Sequence, residues 1–160
     1  MPLNLTQKER ALLEDQKSHE EVCIQKYTAY ANSAQCPQLK QMFQAYAAQE
    51  QEHLNSINQL LNGQIPQMGQ QQGQQMQQQY TAPAGTQARF QGNAGSQNDA
   101  ILCNDMLMTE KYVSSAYDTA IFEQTDSNVR QVLNHIQKEE QGHGEGIFKY
   151  MQSKGMYNPK

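Results

Sequence analysis

Two short stretches of this chain carry the same pair of chemically capable residues. Glu50-Gln51-Glu52-His53 and Glu140-Gln141-Gly142-His143 both read E-x-x-H. A further glutamate stands 30 residues before each, Glu20 and Glu110, so a shift of 90 residues lays one set on the other. On a helix, side chains three apart project from one face. Four helices bearing Glu, Glu-x-x-His, Glu and Glu-x-x-His supply the ligands of a two-metal carboxylate site inside a helical bundle. Carboxylate and imidazole suit iron(II) or manganese(II). Glu20 and Glu110 then serve one metal each, Glu50 and Glu140 bridge the pair, and His53 and His143 give one nitrogen to each metal. Zinc is less favoured, because nothing here resembles its structural sites. The alternative is a buried Glu–His network without metal, or an old site now empty. His19 and His135 lack this context and are expected at the surface or an interface.

The elements that must position these residues can be traced in order. Thr6-Gln7-Lys8-Glu9 fits a capping box, and no proline or glycine follows until Pro37. Leu13, Glu20, Tyr27 and Ala34 recur every seven residues, which predicts a first helix to about Ala34. An acid on the apolar stripe is costly unless paired or metal-bound, which separates Glu20 from its neighbour Glu21. Pro37 suits the first turn of a second helix, running to about Leu61 with Leu39, Phe43, Tyr46, Glu50, His53, Ile57 and Leu60 on one stripe. A third helix is expected from about Gln97 to Glu123 through Leu102, Met106, Glu110, Val113, Tyr117 and Ile121. Asp126 or Ser127 caps a fourth, which follows Val129, Leu133, Ile136, Glu140, His143, Ile147 and Met151 and ends at Gly155.

Between the hairpins the composition changes. From Gln64 to Tyr80, ten of seventeen residues are glutamine, and Asn62 to Asn98 contains one charge, Arg89. Such a segment cannot offset its ordering entropy by burial. It reads as a crossover over about 63–97, joining a hairpin of about 6–62 to one of about 98–155 in one domain. One long crossover between two antiparallel hairpins is the ferritin-like connectivity, so the expected class is all-α, a ferritin-like four-helix bundle. The 90-residue offset also pairs Asp15 with Asp105, Tyr27 with Tyr117, Lys40 with Arg130 and Ile57 with Ile147. That marks a duplicated hairpin.

Composition narrows the function. A net charge of −4 and a pI of about 5.5 give no electrostatic case for nucleic acid. No signal peptide is recognised, and no apolar run approaches a membrane span. Cys23, Cys36 and Cys103 are odd in number and lack CxxC spacing, which disfavours a disulfide framework, a cysteine zinc site and rubredoxin-type iron. They read as free thiols of a reducing compartment, or as later cross-linking groups. Tyr27 and Tyr117 lie two turns beyond Glu20 and Glu110 and should face the interior, as core tyrosines bonded to carboxylates or as redox-active groups. Asp15 and Asp105 read as solvated charges. Gly142, Gly144 and Gly146 surround His143, which suggests close helix packing, a frayed last section of the helix, or a local distortion such as a π-bulge that aims the imidazole.

The second half resembles the Coat F family of bacterial spore coat proteins. The residues that carry the resemblance are Asn104-Asp105-Met106-Leu107-Met108-Thr109-Glu110-Lys111-Tyr112 and Ser115-Ala116-Tyr117, then Asn128-Val129-Arg130-Gln131, Lys138-Glu139-Glu140, and Tyr150-Met151 through Gly155-Met156-Tyr157. The resemblance covers about residues 97–157; the first half shares it only through the internal repeat. It implies a ferritin-like protein made in the mother-cell cytoplasm and assembled onto the spore coat, with other coat proteins or itself as partners. A homodimer is one such assembly. A structural coat role stands beside a di-iron or di-manganese oxidase, peroxidase or iron-handling role, and the family does not settle whether the protein is an enzyme.

Overall fold

In the computed structural model, whose described residues are 3–67 and 96–159, each helix begins where a side chain or a proline accommodates its first free amides. Helix α1 (Gln7–Ser33) starts at Thr6, whose hydroxyl accepts from the Glu9 amide at 3.2 Å while Glu9 Oε2 accepts from the Thr6 amide at 2.7 Å. Helix α2 (Pro37–Leu61) starts on its proline. Helix α3 (Gln97–Glu123) starts at Ser96, which accepts from the Asp99 amide at 3.1 Å. Helix α4 (Ser127–Ser153) starts at Asp126, which accepts from the Asn128 and Val129 amides at 2.7 and 3.3 Å. Gly63 and Gly155 take positive φ beyond α2 and α4, the left-handed conformation that ends a helix without strain only for glycine.

The two hairpins share one layout. Helices α1 and α3 begin ninety residues apart, as do α2 and α4. Every buried position of α2 reappears ninety residues later in α4. The chain path follows from contacts at the two ends. Arg10 Nη1 donates to the Leu61 carbonyl at 3.2 Å and Thr125 meets Glu9, so the start of α1, the end of α2 and the α3–α4 turn share one end. Asn98 Nδ2 donates to the Ser33 carbonyl at 3.0 Å, which puts the start of α3 at the other. The chain therefore leaves α2 at one end and enters α3 at the opposite end, as in a ferritin-like bundle. Most of the glutamine-rich crossover lies outside the described residues. No described helix is long and apolar enough to cross a membrane.

The apolar core is split in two. One cluster holds Tyr27, Leu39, Phe43, Met106, Ile147 and Met151; the other holds Leu13, Ile57, Leu60, Tyr117, Val129 and Leu133. A layer of buried glutamates and histidines lies between them on all four helices.

Two buried carboxylates fasten the hairpins to each other. Besides capping α1, Glu9 Oε1 accepts from the Thr125 amide at 2.7 Å and the Thr125 hydroxyl at 2.8 Å. Its counterpart ninety residues on, Asp99, accepts from the Gln35 and Cys36 amides, both at 2.9 Å. Each helix start thus holds the turn of the opposite hairpin.

Burial pushes the Glu9 carboxyl upward, but hydrogen bonds from Thr125 and Thr6 outweigh it and hold it at about 2, below its ordinary 4.5. A depressed folded value means a contribution that is full above the unfolded pKa and lost as pH falls through the folded one. Glu9→Gln should therefore lower the unfolding free energy by roughly 3 kcal/mol at pH 7, at about 1.36 kcal/mol per pKa unit. Urea denaturation should show that difference shrinking as pH drops from about 4.5 toward 2. A difference that does not vary with pH would mean that the charge of the clamp contributes nothing.

Candidate metal centre

All six residues singled out by spacing meet in the polar layer, each no more than 2 % exposed. Glu20 comes from α1, Glu50 and His53 from α2, Glu110 from α3, and Glu140 and His143 from α4. Their donor atoms form two overlapping groups, each spanning no more than 4.8 Å: Glu20, Glu50, His53 and Glu140, and Glu50, Glu110, Glu140 and His143. Glu50 and Glu140 are common to both.

Each imidazole presents Nδ1 to this centre. His53 Nδ1 lies 3.0 Å from Glu50 Oε2, 3.4 Å from Glu140 Oε1 and 3.7 Å from Glu20 Oε2. His143 Nδ1 lies 3.1 Å from Glu50 Oε1, 3.4 Å from Glu140 Oε2 and 3.5 Å from Glu110 Oε1. The far nitrogens are also held. His53 Nε2 meets Glu139 Oε2 at 2.6 Å, and His143 Nε2 meets Gln49 Oε1 at 2.8 Å. Both partners accept, so the proton belongs on Nε2 in the neutral ring and the Nδ1 lone pair faces the carboxylates.

The tyrosines pair across the bundle rather than along their own helices. Tyr27 of α1 donates to Glu110 Oε1, and Tyr117 of α3 donates to Glu20 Oε1. Burial and the neighbouring carboxylates push both phenols well above their ordinary value, so they remain donors. The other oxygens of Glu20 and Glu110, and both oxygens of Glu140, are buried without a hydrogen bond. Buried polar oxygens are ordinarily satisfied, and carboxylate oxygens turned toward neighbouring imidazole lone pairs are the donor chemistry of a hard or borderline cation.

Without a cation the centre can still balance its charge. Burial raises Glu20 and Glu110 well above the ordinary carboxyl range. Burial also pushes Glu50 and Glu140 upward, but the imidazoles of His143 and His53 beside them outweigh it and hold both low. The imidazoles are pushed down by burial and raised further by their carboxylate partners. Two neutral acids, two carboxylates and two imidazolium rings then coexist. With every carboxyl ionised and both rings neutral, four negative charges match two divalent cations. Among the described residues no lysine or arginine is ion-paired to the centre.

Asp15, His19 and His135 lie at or near the surface as expected, while other residues departed from their expected roles. Asp15 is exposed, but Asp105 is not a solvated charge: it accepts from Tyr30 at 2.7 Å and Lys26 at 3.0 Å. His135 is partly exposed and paired to Glu139 at 3.2 Å, and His19 packs edge-on against Tyr112. Helix α4 runs unbroken as α-helix through its glycines, so a π-bulge does not aim His143. Gly146 instead makes room: a Cβ there would overlap the Tyr46 hydroxyl. The Tyr46 ring stacks on His143 with centroids 4.2 Å apart. Gly142 meets nothing and is exposed. The pattern gave no hint of Glu139 and Gln49, which look like helix-flank residues, although their 90-residue spacing was a usable signal.

Comparison with known proteins gives a domain match for the second hairpin and a fold for the chain. Residues 98–160 match the Coat F domain. No curated protein matches the chain. A solved structure described as a dodecameric thioferritin, the bacterioferritin-related protein from Bacteroides fragilis, is similar over 95 % of this chain and 88 % of its own, with 17 % identity and a TM-score of 0.66. That likeness establishes a ferritin-like four-helix fold.

The glycines of α4 make a paired prediction. Gly142→Ala should stabilise the protein by about 1 kcal/mol, the helix-propensity gain at an open site. Gly146→Ala should forfeit that gain, because it displaces Tyr46 from His143. Thermal melts of the two variants, run side by side, check this; equal stabilisation would show that the Tyr46 contact does not constrain position 146.

Proposed function

We propose that this chain, with a Coat F domain as its second hairpin, is a ferritin-like spore coat protein whose core holds two divalent metal ions, iron or manganese. The carrying observation is the pair of overlapping four-residue groups with Glu50 and Glu140 in both. Glu20 and His53 would complete one position, and Glu110 and His143 the other. The oxygens of Glu20, Glu110 and Glu140 that lack a hydrogen bond support that assignment.

Within this reading the chain's own residues have defined tasks. The apolar clusters on either side keep water from the centre. Tyr27 and Tyr117 hold Glu110 and Glu20 by one oxygen each and leave the other free. Glu139 and Gln49 keep the imidazoles turned inward. Bound iron or manganese would supply redox chemistry toward dioxygen or peroxide, so an oxidase, peroxidase or iron-handling activity is the second reading, favoured by the Glu/His donor set.

The primary biological role is structural, in coat assembly, and the Coat F match supports it. Self-association is the proposed mode, supported by the dodecameric description of the similar bacterioferritin-related structure. Ile101, Met108 and Tyr112 expose an apolar surface on α3 suited to it. The ninety-residue correspondence of helices and buried positions supports an ancestral hairpin duplication.

Replacing both shared ligands, Glu50→Ala with Glu140→Ala, should take the retained metal from near two ions per chain to none. Mass-spectrometric metal analysis after anaerobic iron(II) loading measures this, with circular dichroism confirming helicity. Unchanged stoichiometry in a folded variant would contradict the assignment.

A further inference from the structure

The two halves of the centre differ in what stands behind each histidine. Gln49 and Glu139 occupy equivalent places, each directly before a Glu-x-x-His and ninety residues apart. Each reaches across to the histidine of the other hairpin. Glu139 Oε2 takes His53 Nε2 at 2.6 Å, whereas Gln49 Oε1 takes His143 Nε2 at 2.8 Å. A carboxylate thus holds the remote nitrogen of His53, and the oxygen of a neutral amide holds that of His143. The difference extends outward: Glu139 Oε1 is 3.2 Å from His135 Nε2, while the position equivalent to His135 is Ala45.

A metal-ligating histidine is oriented more firmly, and donates more strongly, when its remote N–H is held by a carboxylate than by a neutral amide. The nearest ligands are otherwise matched: one unshared glutamate, one histidine and the two shared glutamates on each side. We propose that Glu139 is a positioning residue that makes the two metal positions unequal. The position built by Glu20, Glu50, His53 and Glu140 binds a divalent cation more tightly and fills first. The position of Glu50, Glu110, Glu140 and His143 fills second. This rests on the two-metal reading above and adds an order of filling to it.

The test is anaerobic calorimetric titration of the full chain with manganese(II), followed in parallel by electron paramagnetic resonance. The native chain should bind in two steps separated by roughly 10–100-fold in affinity, the range expected when such a supporting partner differs. The first equivalent should give the spectrum of an isolated ion and the second that of an interacting pair. Glu139→Gln gives both histidines an amide partner, so the tighter step should weaken by about 10–100-fold and approach the second. Glu139→Asp, which keeps the charge, should restore part of the separation. Glu20→Gln should remove the tighter step and Glu110→Gln the weaker one, which locates the order without relying on position 139. Two equal steps in the native chain, an unchanged separation in Glu139→Gln, or loss of the weaker step in Glu20→Gln would each overturn the proposal while leaving the two-metal reading intact. A native chain that binds no manganese(II) would overturn the two-metal reading and this inference with it.

Discussion

Four carboxyl groups and two imidazoles are sealed inside a helical bundle, with no lysine or arginine ion-paired to them among the described residues. Everything else in the structure answers to that constraint. Unpaired buried charge costs several kcal/mol per group, so the layer holds only if its members neutralise one another or share cations. The chain meets this with matched sets. Each hairpin contributes two carboxyls and one imidazole, and neither set is complete alone. The Tyr27–Glu110 and Tyr117–Glu20 bonds run between hairpins, as do the contacts of both histidines with Glu139 and Gln49. The polar layer thus fixes the register of one hairpin on the other, a specificity that a purely apolar interface would leave less defined.

Symmetry explains the economy of the arrangement. The clamps of Glu9 on Thr125 and Asp99 on Gln35 and Cys36 place the helix starts equivalently. Helices that start in register bring their glutamates to one level, and the crossing between two apolar clusters closes that level above and below. The departures from symmetry then become informative. Glu139 against Gln49, and Tyr46 stacked on His143 beside Gly146, are where the two halves of the centre acquired different surroundings.

Much of this was legible in the chain because two signals agreed. Acids lying on an apolar stripe stand out against the cost of burying them, and their recurrence at 90 residues made chance coincidence untenable. The helix starts were readable from local chemistry at Thr6, Pro37 and Asp126, which depends on only a few neighbouring residues. What was not legible depends on which faces meet. Glu139 lies beside Glu140 on the helix and looks like a flank charge until the other hairpin's His53 is set against it. Asp105 resembles the exposed Asp15 in sequence, yet Tyr30 and Lys26 of the facing helix claim it. Gly146 reads as a weak point in a helix until Tyr46 is packed over it. Periodicity identifies the buried face but does not identify the partner.

The central claim is that the layer is a two-metal centre rather than a self-neutralised network. Anomalous diffraction from crystals grown anaerobically with manganese(II) tests it most directly. The account predicts two peaks per chain, one among Glu20, Glu50, His53 and Glu140 and the other among Glu50, Glu110, Glu140 and His143. A well-ordered bundle with no peak in this layer would contradict it and leave a ferritin-like bundle whose buried acids and imidazoles serve only to join its two hairpins.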